Sequence, residues 1–173
     1  FAPAGESADK ITHRLDPAGV PADGDDGLIT IEDVSGMSDG ASTISYTGLE
    51  PVLDAMPAVD REFNFMADAE IVTLTQPGQG GLANRIGSNL SETISFNSPT
   101  GSLTIDVTTG TGADAIRVQG VAAGFDADVT IVGGNDDALT FQTADTNIGA
   151  GNLNATAASI AFLANFATSG NAV

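Results

Sequence analysis

Two glycines, an asparagine and two adjacent aspartates interrupt an apolar alternation at residues 129–141, VTIVGGNDDALTF. A longer stretch upstream, LTIDVTTGTGADAIRV at 103–118, has the same order of strand, glycine turn and Asp-x-apolar-x-apolar. Glycine turns leave carbonyls pointing outward and aspartate adds a hard anionic oxygen, which together suit calcium. Asn, Gly and Asp are equally the ordinary residues of a tight turn, where their side chains bond local backbone amides. Plain turns and at least one bound calcium both stay open on sequence grounds. Asp114, Asp136 and Asp137 are the expected metal ligands.

Other chemistries find less support. His13 is the only histidine and falls in the N-terminal segment, so a Ser-His-Asp triad is not expected. With one His and no Cys, a zinc site would rest on carboxylates alone. Paired carboxylates suit glycoside hydrolysis, but the aromatic platform of a sugar cleft is missing: there is no Trp, and Tyr46 is the only Tyr. A polysaccharide lyase with an arginine base has only Arg61, Arg85 and Arg117 to draw on. GQGG at 78–81 lacks the Lys-Ser/Thr of a phosphate loop and reads as a hairpin turn. The acidic run Asp23, Gly24, Asp25, Asp26 has no Glu where a complete EF-hand loop needs one. No set of nucleophile, base and orienting group converges, and the chain is expected not to be an enzyme.

The elements that must carry these turns are strands. Apolar-x-apolar pairs recur at 29/31, 44/46, 63/65, 72/74, 94/96, 105/107, 116/118, 129/131, 139/141 and 160/162, each with a period of two. Between residues 94 and 139 the pairs start 11, 11, 13 and 10 residues apart, the spacing of a sandwich, a barrel or a solenoid. Asp114 and Asp137 stand 23 residues apart, as do Ile116 and Leu139, so two strands per unit form an internal repeat. The Ala-rich stretch 151–170 is the best helix candidate, although its Ile, Phe and Thr also allow strands; a short helix over 49–55 also fits, with Pro51 in its first turn. Residues 1–27, rich in Pro, Gly, Ala and Asp, read as an extended N-terminal arm or linker, and 28–173 as a single β-rich domain. The expected fold is all-β, a β-solenoid or β-helix-like body ahead of a two-sheet β-sandwich.

GTGADAIRV (110–118) and GGNDDALTF (133–141) resemble the glycine-aspartate nonapeptide of calcium-binding β-roll proteins, with Thr109, Val132 and Asn135 departing from its glycines. More broadly, AEIVTLTQPG, LSETISFNSPTGSLTIDV and AAGFDADVTIVGG, within about 69–150, resemble repeats of large secreted or surface adhesin-like proteins of planctomycete-type bacteria. That resemblance implies a β-rich, extracellular, cell-envelope protein.

Charge narrows the partners. With 23 Asp plus Glu against 5 Lys plus Arg, the formal net charge is −18, which excludes a phosphate backbone and opposes anionic membranes. No apolar run reaches the ~20 residues of a membrane-spanning helix. Asn89-Leu90-Ser91 and Asn154-Ala155-Thr156 have the form of glycosylation sequons, so attached or partner glycans are an open expectation. The expected role is a structural subunit of an extracellular bacterial fibre, sheath or surface layer. It would self-associate head to tail, with residues 1–20 docking on the next copy. The alternative is a calcium-stabilised adhesin module of a larger surface protein.

Overall fold

The computed structural model describes residues 7–15, 26–34, 40–49 and 51–171. In chain order the first strands are β1, Ala8–Leu15; β2, Asp26–Val34; β3, Ser42–Thr47; β4, Val52–Asp54; and β5, Ala58–Phe65. β6, Ile71–Thr75, and β7, Asn84–Gly87, form an antiparallel hairpin, and β8, Ile94–Phe96, adds to β7. The hairpin turn includes a short 3-10 segment, Gln79–Gly81, so GQGG is a turn, as its sequence predicts. There follow β9, Ser102–Asp106; β10, Ala115–Val118; β11, Asp128–Val132; β12, Ala138–Phe141; and β13, Thr146–Asn147. The last are β14, Leu153–Thr156; β15, Ser159–Phe162; and β16, Phe166–Ala167.

The protein is all-β, with two seven-stranded sheets ordered β14-β11-β9-β5-β1-β2-β3 and β15-β12-β10-β6-β7-β8-β4, and the short pair β13-β16. From β9 to β12 the chain alternates between the two large sheets, and each strand lies parallel to one from the preceding pass. The sequence repeat sets the register: Ile116 lies beside Leu139, 23 residues on, and Leu103 beside Val129. β14 and β15 repeat this against β11 and β12.

The period of two turns one face of each strand inward. Phe63, Phe65, Leu103, Ile105, Val129 and Ile131 of the first sheet share a buried cluster with Val72, Leu74, Ile116, Val118, Leu139 and Phe141 of the second. Burying these branched and aromatic side chains supplies the drive that holds the two sheets together.

Three expectations need correction. Part of the expected arm is body: β1 sits inside the first sheet, antiparallel to β2 and parallel to β5. Its Ile11 and Leu15 are buried, an alternation too sparse in its polar surroundings to be read from sequence. Residues 1–6 and 16–25, including Asp23, Gly24 and Asp25, lie outside the described residues. For the Ala-rich stretch the helix reading gives way to its strand alternative: it forms β14, β15 and β16, because pairing with the preceding strands outweighs the local propensity of alanine. Where a helix over 49–55 fitted the sequence, β4 lies parallel to β8.

Candidate functional site

The turn between β9 and β10 and the turn between β11 and β12 lie side by side on successive passes of the chain. Asp114, Asp136 and Asp137 come together there around an open hollow of about 350 Å³, with Gly110, Gly112 and Asn135. Asp114 and Asp137 are nonetheless buried, and each is spoken for by backbone. The Asp137 carboxylate accepts the Asp114 N–H at 2.8 Å and the Gly134 N–H at 2.5 Å. Asp114 in turn accepts the Glu70 N–H at 2.6 Å. Glu70 closes the row by accepting from the Ala67 N–H at 3.1 Å and the Ser88 hydroxyl at 2.7 Å. Burial pushes the Asp114 carboxyl above its usual range; the Glu70 amide opposes this, and the neighbouring Asp137, Asp136 and Asp68 add to it. Burial likewise raises Glu70.

The glycines of the first nonapeptide have packing reasons. A Cβ at Gly110 would collide with the Ala67 carbonyl, and Gly112 has φ +116°. A cation is matched only in part: both oxygens of Asp137 already serve amides, and among the described residues no group of three or more His, Cys, Asp or Glu is arranged to hold a metal ion.

The same device recurs on the other turns. Asp128 accepts the backbone and side-chain N–H groups of Asn152 at 2.7 and 2.9 Å, and Asn152 accepts the Asn171 N–H at 2.9 Å. Asp145 takes both N–H groups of Asn165, and Asp126 the Ala150 N–H. These side chains fasten one pass to the next, satisfying turn amides that strand pairing leaves over. Sequence reading offered the Asp turns as local structures, and Asp137 does accept the Gly134 N–H within its own turn; Asp114, Asp137 and Asp128 also take amides 23–44 residues away.

His13 is in the body, fully buried in β1. Its ring stacks on Phe63 with centroids 5.0 Å apart, and its Nε2 lies 3.0 Å from Asp54. Arg61, also buried, donates to the same Asp54 carboxylate and to the Met56 carbonyl. Burial raises the Asp54 carboxyl, but the His13 hydrogen bond and the Arg61 charge outweigh it and leave the group at about 2. Burial also holds the His13 imidazole below its ordinary value. Among the described residues Nδ1 of His13 has no hydrogen-bond partner, and the group is a buried Arg61–Asp54 ion pair braced by the imidazole.

Comparison with known proteins gave no match to a family model, a curated protein or a solved structure. Among the described residues, no helix is long and apolar enough to cross a membrane.

The exposed ends of the two sheets remain. β15 is the last strand of its sheet; Ile160 and Phe162 stand in register with the buried Leu139 and Phe141, yet are 42% and 54% exposed. Leu163 beside them is 73% exposed. At the opposite ends lie β3 and β4, where Ile44 and Leu53 are 51% and 54% exposed. There Ile29, Ile31, Ile44, Leu53 and Met56 line an apolar hollow of about 270 Å³. In a chain with 23 acidic residues, none of residues 146–171 is charged, nor is any residue of β3.

Proposed function

We propose that this chain is a structural subunit of an extracellular bacterial fibre, sheath or surface layer, whose copies join head to tail through the ends of their sheets. One observation carries the reading: the strand directions at the two ends match. β3 is antiparallel to β2, and β2 to β1, so β3 runs with β1, β5 and, through successive parallel pairs, β14. In the second sheet the same count makes β4 run with β15. A copy shifted along the stack therefore presents β3 to β14 and β4 to β15, both as parallel pairs. Edges of this kind in a monomer normally carry charge, proline or a cover; β3, β14 and β15 carry no charge, and apolar side chains are exposed at β3 and β15, while on β14 the Leu153 N–H already donates to the Asn171 carbonyl. Elsewhere the net charge of −18 makes copies repel, so the ends, where the one carboxylate of β4, Asp54, is paired with Arg61, are where they can meet.

The architecture suited to this role is a β-solenoid, supported by the parallel registers of β5, β9, β11 and β14 in one sheet and of β6, β10, β12 and β15 in the other. β1 occupies its own chain's sheet, so the docking first expected of residues 1–20 passes to the sheet ends. A heterologous contact of this kind does not close and yields a filament. In sedimentation velocity, Phe162→Lys and Ile44→Lys should each abolish assembly, while Thr140→Lys, within the second sheet, leaves it intact. Mixing the two blocked variants should give dimers, since each retains one good end. A wild-type chain that stays monomeric, or a mixture that forms nothing, contradicts the reading.

A second reading, a calcium-stabilised adhesin module, is favoured by the two nonapeptide turns meeting at one hollow. A melting midpoint that rises with millimolar calcium, and ceases to do so in Asp114→Asn, would favour it.

A further inference from the structure

Three of the five basic residues are engaged: Lys10 with Glu62 at 2.6 Å, Arg61 with Asp54, and Arg14 with the Met66 sulfur at 3.1 Å. Arg85 and Arg117 make no ion pair or hydrogen bond among the described residues, and both line the same open hollow of about 450 Å³ on the outer face of the second sheet. β6 runs between their strands: Arg117 of β10 pairs with Thr73, and Arg85 of β7 pairs with Thr75. From either side of β6 the two side chains border a floor of threonines, with Thr93 and Asn89 completing the rim. No carboxylate lines it, although the chain has 23.

Aliphatic arginine stems commonly cover strand surface, which accounts for one arginine at such a place. It does not account for two cations, neither with an anionic partner among the described residues, lining one hollow that no carboxylate borders in so acidic a protein. Such a local violation marks a functional place.

We propose that this hollow binds the carboxylate of an acidic saccharide, a uronate residue within a longer glycan. A guanidinium fork matches a planar carboxylate through two parallel hydrogen bonds. The hydroxyls of Thr73, Thr75 and Thr93 and the Asn89 amide nitrogen suit sugar hydroxyls; the Asn89 oxygen already accepts the Ile71 N–H at 2.6 Å. A peptide is the poorer occupant, because β6 is paired on both sides by β10 and β7 and offers no edge for strand addition. Two arginines within a chain of charge −18 do not hold a nucleic acid backbone. The site stands apart from the sheet ends, so it holds whether or not the chain polymerises.

The test is calorimetric titration of the wild-type chain with a tetragalacturonate, its methyl ester and a glutamate tetrapeptide, at low and at 0.5 M salt. Binding of the free uronate should weaken at least about tenfold in Arg85→Gln or Arg117→Gln, disappear in the double variant, and fall with salt, each group contributing a charge-assisted contact. Circular dichroism of the variants should be unchanged. No binding by the wild type, equal binding of the ester, or insensitivity to both arginines would overturn the proposal. Equal binding of the glutamate peptide would transfer the site to a protein partner.

Discussion

Arg61, Asp54 and His13 occupy the body near the β3 and β4 ends, and their energetics follow from burial. Removing one partner of a buried pair strands the other charge, so Arg61→Ala should lower unfolding stability by about 3–5 kcal/mol in urea titrations. Arg61→Ala combined with Asp54→Ala should cost clearly less than the sum of the single changes, since neither charge is then left alone. A single-variant loss below about 1 kcal/mol would show that Asp54 reaches water. The pH signs differ among the buried groups. Asp54, depressed from 3.8 to about 2, adds stability that is present above pH 3.8 and lost as pH falls through about 2. His13, held neutral by burial, opposes folding below pH 6.5. Asp114 and Glu70, raised by burial, bind protons more readily folded than unfolded, so through them mild acidification stabilises the fold. Asp114→Asn keeps an acceptor for the Glu70 amide and removes a like charge. It should hold or raise the thermal midpoint at pH 7 in chelator and shrink the gain on going to pH 5. A midpoint several degrees lower would mean that the carboxylate charge itself is needed, as a bound cation requires.

At the scale of elements, side chains on the turns fasten each pass to the next. Asn152 both donates to Asp128 and accepts from Asn171, so Asn152→Ala removes contacts on both sides of β14. The expected loss is about 1 kcal/mol, with faster amide exchange confined to β14 and the residues after it; unchanged exchange there would deny the fastening role. Much of this layer was legible in the sequence. The ten apolar pairs lie on strands, apart from Val107 one residue past β9, and the offset of 23 between Ile116 and Leu139 became the β10–β12 register. β1 was hidden because His13, Lys10 and Arg14 occupy a strand whose flanks look like linker. Of the last strands, β15 was legible in the pair 160/162, but β14 and β16 were obscured because alanine favours helix locally, whereas their pairing partners lie 20–24 residues back. The Asp turns were recognisable as turns, but Glu70, the acid continuing their row, carries no motif of its own. The meeting of Arg85 and Arg117 depends on the β6–β7 hairpin and the β10 register together, so neither residue signals it alone.

For the whole molecule, the end strands of the two large sheets agree in direction, and three of the four, β3, β14 and β15, carry no charge; the agreement is what makes end-to-end growth geometrically simple. Both sheets mix antiparallel pairs with the parallel passes that β9–β12, β14 and β15 add, and under the proposed assembly a parallel ladder of backbone hydrogen bonds would cross each junction between copies. With seven strands per sheet, spaced about 4.8 Å apart, one subunit would advance a filament by about 34 Å. The most direct measurement is electron microscopy of the purified chain at high concentration, with calcium and again in chelator, reading the axial repeat from averaged filaments. The expected result is unbranched filaments repeating near 34 Å, present with and without calcium and absent for Phe162→Lys. Dispersed monomers in both conditions, or filaments whose repeat is unrelated to the seven-strand stack, would contradict assembly through the sheet ends.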